Sequence, residues 1–334
     1  MLVEFENMRH VAITAVGAHL PEEVVDNAWF VERYDTTDEW IRARSGIRFR
    51  RKLPDNEATS DLAVRAAKEI LETRGLKPTD LDMIIIATVS MDHIYPSTGN
   101  LVQAKLGATG VPSYDVLAAC TGFIYALVQG YSMVRCGMYD KVMVLGAEAM
   151  SRITNFDDRS TCFLFGDAAA GFLLEPSDEP GIVKLYLGSD GSKGDILCQK
   201  AGGSKYPATE ERIRNKEHFL YMEGREVFKH AVRRMAQASD EVLERSGWTT
   251  DDVDLFFAHQ ANVRIVDSTV KHLKLDESKN YATIETVGNT TSASIPYGMY
   301  AAYKEGRLKK GDKVLITAFG GGFTWGSGTI IWSI

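Results

Sequence analysis

Three side chains and a glycine run in this chain have types suited to acyl chemistry. Cys120 stands in SYDVLAACTGFIYAL, residues 113–127, His259 in FFAHQAN, Asn289 in VGNTTSASIP, and three glycines follow one another in FGGGFTWG, residues 319–326. A cysteine can store an acyl group as a thioester. The apolar residues before Cys120 read as the end of a strand. Phe123, Ile124, Leu127, Val128 and Tyr131 then recur at helical spacing. Cys120 is therefore expected at a strand-to-helix junction, where unpaired helix N–H groups and the helix dipole favour a thiolate. The alternative is a small buried apolar residue. A histidine that ends an apolar strand is ordinarily structural, and a Gly-Asn pair is ordinarily a turn. Acyl transfer also needs N–H donors for a developing oxyanion, and the amides of Cys120 and Gly321 are candidates.

The elements that would have to position these groups are repeated. EILETRGLKPTDLDMIII at 69–86 matches EVLERSGWTTDDVDLFFA at 241–258, and DKVMVLGAE at 140–148 matches DKVLITAFG at 312–320. Both matches have an offset of 172 residues, from Asp80 to Asp252 and from Asp140 to Asp312. Each repeat runs helix end, glycine stop, turn and buried strand. Two similar α/β halves about a pseudo-twofold axis are expected. The offset sets Ala87 against His259 and Cys120 against Ser292, so Cys120, His259 and Asn289 fall at element ends that could meet between the halves.

Bulk properties narrow the function. The chain has 334 residues, 45% of them hydrophobic and 25% charged, enough for two cores or one duplicated core. A net charge of −7 argues against general nucleic-acid binding. The basic stretch IRARSGIRFRRK, residues 41–52, reads either as a solvated face or as a site for a polyanion or an acidic partner. Cys120, Cys136, Cys162 and Cys198 show neither metal-ligand nor disulfide spacing, and a reducing cytoplasm suits them. No stretch has the length of a membrane span, and the N-terminus lacks a signal-peptide pattern. GDAAAG at 166–171 reads as small residues for tight packing in a strand. The polar segment 196–218 reads as a mobile flap.

In the order AACTGF, GDAAAG, HQAN, GNTTSASIP and GGGFTWG, and with TDEWIRARSGI at 37–47, the chain resembles the thiolase-fold condensing enzymes, most closely the β-ketoacyl-acyl carrier protein synthase III family. The resemblance covers nearly the whole chain. It implies an α/β thiolase-like fold with layers αβαβα, a half at 1–178 carrying the nucleophile and a half at 179–334 carrying the histidine and asparagine. It further implies that Cys120 takes an acyl group from acyl-CoA. Malonyl-acyl carrier protein is then decarboxylated and condensed onto that group, with His259 and Asn289 donating to the enolate oxygen. Trp40, Arg44, Arg159, Met222, Gly224, Phe228, Asn262 and Arg264 would line the CoA path, and Tyr95 and Phe319 the acyl pocket, with Tyr95 reaching in from the partner of a homodimer. CoA enters as a substrate thioester, and neither metal nor cofactor is implied.

Two rivals follow from the same fold. One is a relative of different product specificity, including a synthase that uses a general-base glutamate, for which Glu148 in GAEAMS is the nearest residue. The other is a non-catalytic partner subunit, which would be expected to have lost its nucleophile.

Overall fold

Ile84 and Ile86 face one way and Ile85 the other, as successive residues of a strand must. Both faces of that strand are fully buried. In the computed structural model, which describes residues 8–334, this strand sits inside a five-layer arrangement. The first part of the N-terminal stretch read above, residues 1–7, lies outside the described residues. Five strands form the first sheet: β1 (His10–His19), β2 (Met83–Ala87), β3 (Ser113–Val116), β4 (Val142–Glu148) and β5 (Ala168–Ser177), in the order β1-β5-β4-β2-β3. Four form the second: β6 (Ile182–Ser189), β7 (Leu255–Ala258), β8 (Lys313–Gly320) and β9 (Thr324–Ile331), in the order β7-β8-β9-β6.

The sheets follow one plan. In each, a parallel pair (β2 with β4, β7 with β8) is extended by two antiparallel strands. The counterpart of β3 in the second sheet is reduced to a single parallel bridge between Phe256 and Asn280. The glycine stops of the repeat are also real. The helices α1 (Asp38–Ser45), α2 (Thr59–Arg74), α3 (Thr98–Leu106), α4 (Gly122–Arg135), α5 (Gly224–Ser246), α6 (Val263–Leu273) and α7 (Ser294–Lys304) include the repeat pair α2 and α5. These end at Gly75 and Gly247, with φ of 70° and 66°. That left-handed geometry suits a residue without Cβ.

The layers follow from which face each strand buries. Ile84, Ile86 and Leu145 pack on α2 through Leu62, Ala66 and Ile70. Phe256 and Leu315 pack on α5 and α6 through Met235, Val242, Ile265 and Val270. Between the sheets, Ile85, Val144, Phe172, Phe257 and Ile316 meet Phe123 and Leu127 of α4 and Ile295 and Met299 of α7. The result is helix, sheet, helix, sheet, helix.

Small residues in GDAAAG serve packing, as expected. A Cβ on Gly171 would lie 2.1 Å from the Val144 carbonyl oxygen, and one on Gly166 would lie 2.3 Å from that of Val287. The 196–218 segment departs from the loose flap expected. Its start, Leu197–Gln199, pairs antiparallel with Leu220–Met222, and a short helix spans Glu210–Arg214. Backbone bonds from Ala201 N to Glu217 O (2.9 Å) and from Leu220 N to Ile153 O (2.8 Å) tie both ends, so the turn formers serve chain reversals. Among the described residues, no helix is long and apolar enough to cross a membrane.

Candidate active site

Cys120 occupies a single 3-10 turn, Ala119–Thr121, immediately before α4. Ala119 has φ of 47°, a left-handed conformation that a side chain disfavours. The turn is held by Thr324, whose hydroxyl donates to the Ala118 carbonyl at 3.2 Å, and by Thr121 Oγ1, which donates to the Thr324 carbonyl at 3.2 Å. Gly320 lies directly over it. A Cβ there would stand 2.8 Å from Cys120 N and 3.0 Å from Thr121 N, so only glycine permits the approach. Gly321 also comes close, since its Cβ would lie 3.5 Å from that of Ala119.

The expectation of a resting thiolate is corrected by burial. Cys120 keeps partial exposure, yet the surrounding protein pushes its thiol up to about 12, with the Glu148 carboxylate adding to the effect. Desolvation of the charged form outweighs the helix terminus. Cys120 therefore rests as a thiol at neutral pH.

The other two side chains come from the second half. His259 follows β7, and its N–H donates to the Thr317 carbonyl at 2.8 Å. Its Nδ1 lies 2.7 Å from Ser294 Oγ at the start of α7, whereas the buried Nε2 has no protein partner. Burial lowers its pKa to about 3, so the ring is neutral at physiological pH. Asn289 is gripped by its backbone: its N–H donates to the Leu164 carbonyl at 2.9 Å and its carbonyl accepts from Gly166 N at 3.1 Å. Its side-chain Oδ1 accepts from Thr291 N at 2.9 Å, which frees the Nδ2 hydrogens to donate elsewhere. The turn Thr291–Ala293 that anchors both residues packs against the cysteine turn. A Cβ on Gly122 would lie 3.7 Å from Ser292 Cβ. Residues from both halves thus meet at one place.

Known proteins resemble this chain over nearly its whole length. Residues 114–191 match the family described as 3-Oxoacyl-[acyl-carrier-protein (ACP)] synthase III, and residues 243–332 match its C-terminal part. A β-ketoacyl-[acyl-carrier-protein] synthase III from Caldanaerobacter subterraneus is 46% identical over 322 residues, covering 96% of this chain and 97% of the relative. One from Clostridioides difficile is 43% identical, covering 96% and 98%. The crystal structure of 3-oxoacyl-[acyl-carrier-protein] synthase III from Aquifex aeolicus superposes with a TM-score of 0.89 at 39% identity, over 96% of this chain and all of that one. The chain belongs to the β-ketoacyl-acyl carrier protein synthase III family. It is accordingly an acyltransferase of the condensing type, with the thiolase fold.

The residues assigned to a CoA path largely lie in two adjoining clusters that Met222 joins. The Arg44 and Arg159 guanidinium carbons lie 5.2 and 5.8 Å from the Trp40 ring centre, and Trp40 meets Phe163 edge to face at 5.4 Å. Asn262 caps α6 and donates through Nδ2 to the Arg44 carbonyl at 2.8 Å. Arg264 lies 5.4 Å from the Phe228 ring, and Met222 packs against both the Trp40 cluster and the Phe228 cluster. Gly224 opens α5 with little beside it. Of the acyl-pocket residues, Phe319 is buried against Phe323 at 4.8 Å, whereas Tyr95 is 85% exposed beside the exposed Ile94. Tyr95 therefore lines no pocket within its own chain.

Arg50 alone departs from the reading of the basic stretch as surface charge or partner patch, since Arg42, Arg44 and Arg48 are exposed. It is only 2% exposed and donates to the Phe163 carbonyl and to Asn27 Oδ1. Glu148 is fully buried and accepts from Ser90 Oγ at 2.7 Å and Val89 N at 3.1 Å, with Ser292 Oγ donating at 2.8 Å. That enclosure is unlike the open position a general base needs. Gly320, Ser294, Thr291 and Arg50 were missed as site residues. Of these, Gly320, Thr291 and Ser294 had a readable signal, because each lies in a motif already singled out.

Proposed function

We propose that the chain transfers an acyl group from acyl-CoA to Cys120 and condenses it with malonyl-acyl carrier protein. The product is β-ketoacyl-acyl carrier protein, and the reaction starts a fatty-acid chain. The observation that supports this most directly is the meeting of the Cys120 turn with the turn that anchors His259 and Asn289.

In the first half-reaction, Cys120 sulfur bonds to the acyl carbon and the bond from that carbon to CoA sulfur breaks. The thiol proton leaves with CoA. The N–H groups of Cys120 and Gly321 hold the tetrahedral oxyanion. In the second, the malonyl thioester oxygen gains charge as carbon dioxide departs. Asn289 donates to it through Nδ2, the amide nitrogen left free by the Thr291 contact. His259 donates through Nε2 in the tautomer whose Nδ1 accepts from the Ser294 hydroxyl, which for this turns from the Thr291 carbonyl. A neutral imidazole suits this role, because its hydrogen bond strengthens as the enolate forms. The enolate carbon then attacks the Cys120 thioester, releasing the sulfur as a thiolate as the new carbon–carbon bond closes, and a proton from solvent restores the thiol. Decarboxylation itself supplies the carbanion, so no metal or cofactor enters the reading.

The Trp40 cluster suits an adenine nucleotide, offering an aromatic face and guanidinium groups for phosphates. The exposed Ile94 and Tyr95 suit a homodimer in which Tyr95 closes the acyl pocket of the partner. Four free thiols suit a reducing cytoplasm.

Intact-protein mass spectrometry after incubation with a mixture of acyl-CoAs tests the reading. The expected result is an acyl adduct on Cys120 that identifies the primer and is lost in Cys120→Ala. Asn289→Ala should keep the adduct while condensation falls by ~100-fold or more. Retention of the adduct by Cys120→Ala, or of condensation by Asn289→Ala, would overturn the assignment.

A further inference from the structure

Arg50 is a buried cation without a carboxylate partner: among the described residues it takes part in no ion pair. Its Nε and Nη2 donate to the Phe163 carbonyl at 2.8 and 2.5 Å, and Nη1 donates to Asn27 Oδ1 at 2.5 Å. Asn27, itself buried, donates to Asp38 Oδ1 at 2.7 Å and to the Ile47 carbonyl at 2.9 Å. Burial lowers the Arg50 pKa to about 9, which leaves it charged at neutral pH. Enclosing a guanidinium with only neutral acceptors is costly, so its position calls for a physical reason.

What it holds supplies that reason. The Phe163 carbonyl is one residue from the Leu164 carbonyl that accepts from Asn289 N, and three from Gly166 N, which donates to Asn289 O. Across from this segment stands Gly288, where a Cβ would lie 3.0 Å from Leu164 O and 3.1 Å from Arg50 Cγ. The Arg50 side chain therefore fills the space beneath the two segments that grip Asn289. Its other branch runs through Asn27 to Asp38, the first residue of α1, which carries Trp40 and Arg44. The cysteine turn is held by a different set of contacts, Thr324 and Gly320, in which Arg50 has no part.

We propose that Arg50 is a positioning residue for Asn289: its planar fork fixes the 163–166 segment, which sets where the Asn289 amide stands, leaving the Cys120 turn independent of it. This rests on the proposed function in one respect, the role of Asn289 in the condensation half-reaction. Lysine cannot replace the fork, because a single ammonium on a flexible stem cannot bridge the Phe163 carbonyl and the Asn27 carboxamide in one fixed plane.

The test separates the two half-reactions in Arg50→Lys, with Asn289→Ala alongside. Acylation is followed by mass spectrometry with acetyl-, butyryl- and isobutyryl-CoA, and condensation with malonyl-acyl carrier protein. At saturating acyl-CoA, Arg50→Lys should acylate within about twofold of the parent, any loosening of the α1 branch being confined to KM for acyl-CoA, and lose ~10- to 100-fold in condensation kcat, with KM for malonyl-acyl carrier protein changed less than about threefold. Equal losses in both half-reactions, or condensation retained within about twofold, would overturn the proposal. Should Arg50→Lys not fold, Asn27→Ala decides, since it removes one partner of the fork and keeps the arginine. A condensation loss of about threefold to tenfold with acylation intact at saturating acyl-CoA supports the proposal, and a parallel loss or none overturns it. If Asn289→Ala itself fails to separate the half-reactions, the reading of the site is what falls.

Discussion

The molecule contains the same turn twice, once alive and once sealed. Ala119-Cys120-Thr121 and Thr291-Ser292-Ala293 stand 172 residues apart, each a single 3-10 turn that opens a middle-layer helix. The residue before each central one is held at positive φ, 47° for Ala119 and 50° for Thr291. What differs is the residue that the last position of a neighbouring strand offers to each turn. Over Cys120 it is Gly320, the end of β8, which adds no side chain. At Ser292 it is the equivalent Glu148, the end of β4, whose carboxyl takes the hydroxyl in a hydrogen bond of 2.8 Å. Ser292 also lies 2.9 Å from the Ala87 carbonyl and is 1% exposed. One backbone device thus carries the proposed nucleophile where its surroundings are emptied and makes a structural joint where they are filled.

The strongest challenge to that contrast is Cys120→Ser, which gives the first turn the hydroxyl of the second. Acylation should fall by at least ~1,000-fold, because serine lacks both the acidity and the nucleophilicity of the thiol and no base is arranged to activate it. A stopped-flow CoA-release assay checks this, and a loss below about tenfold would break the contrast. Next comes Glu148, which burial pushes up to about 7 from an ordinary 4.5. The folded protein keeps that proton over a range in which the unfolded chain has lost it, so stability is fully present below 4.5 and falls as pH rises to about 7. The span corresponds to about 3 kcal/mol. Glu148→Gln should remove this slope, read from urea midpoints at several pH values; an unchanged slope would mean that the sealed turn is not held in this way.

Gly320→Ala puts a side chain where the living turn has none. The methyl group would stand 2.8 Å from Cys120 N, and a cost of about 2 kcal/mol in stability is expected, together with about tenfold slower acylation. Normal stability and rate would show that the turn can shift to admit it. Smallest is Ser292→Cys, which copies the nucleophile into the sealed turn. No acyl adduct should form there, and the weakened hydrogen bonds should cost about 1 kcal/mol. A second adduct by mass spectrometry would show that enclosure is not what silences this position.

Much of this was legible in the sequence because it is carried by local pattern. Glycine stops, alternating strands and a constant offset survive in the order of residues, and they led to two α/β halves and to Cys120, His259 and Asn289 at element ends. Arg50 was not legible. It lies in a run of basic residues, which locally signals a solvated face, and its burial is decided by Phe163, 113 positions away. The state of Cys120 was misjudged for a similar reason: the helix beginning is local, whereas the desolvation that overrides it comes from both halves. Gly320 and Gly321 look alike in sequence, and only the fold tells that a Cβ on the first would meet the Cys120 turn and one on the second the Leu197 carbonyl.

The middle layer also bears on how the protein can come into being. Phe123 and Leu127 from one repeat interlock there with Ile295, Met299 and Phe257 from the other, and Trp332 near the C-terminus completes the same cluster. Either repeat made alone would present that oily inner wall to water, so the chain can close into a stable body only once Trp332 has been added.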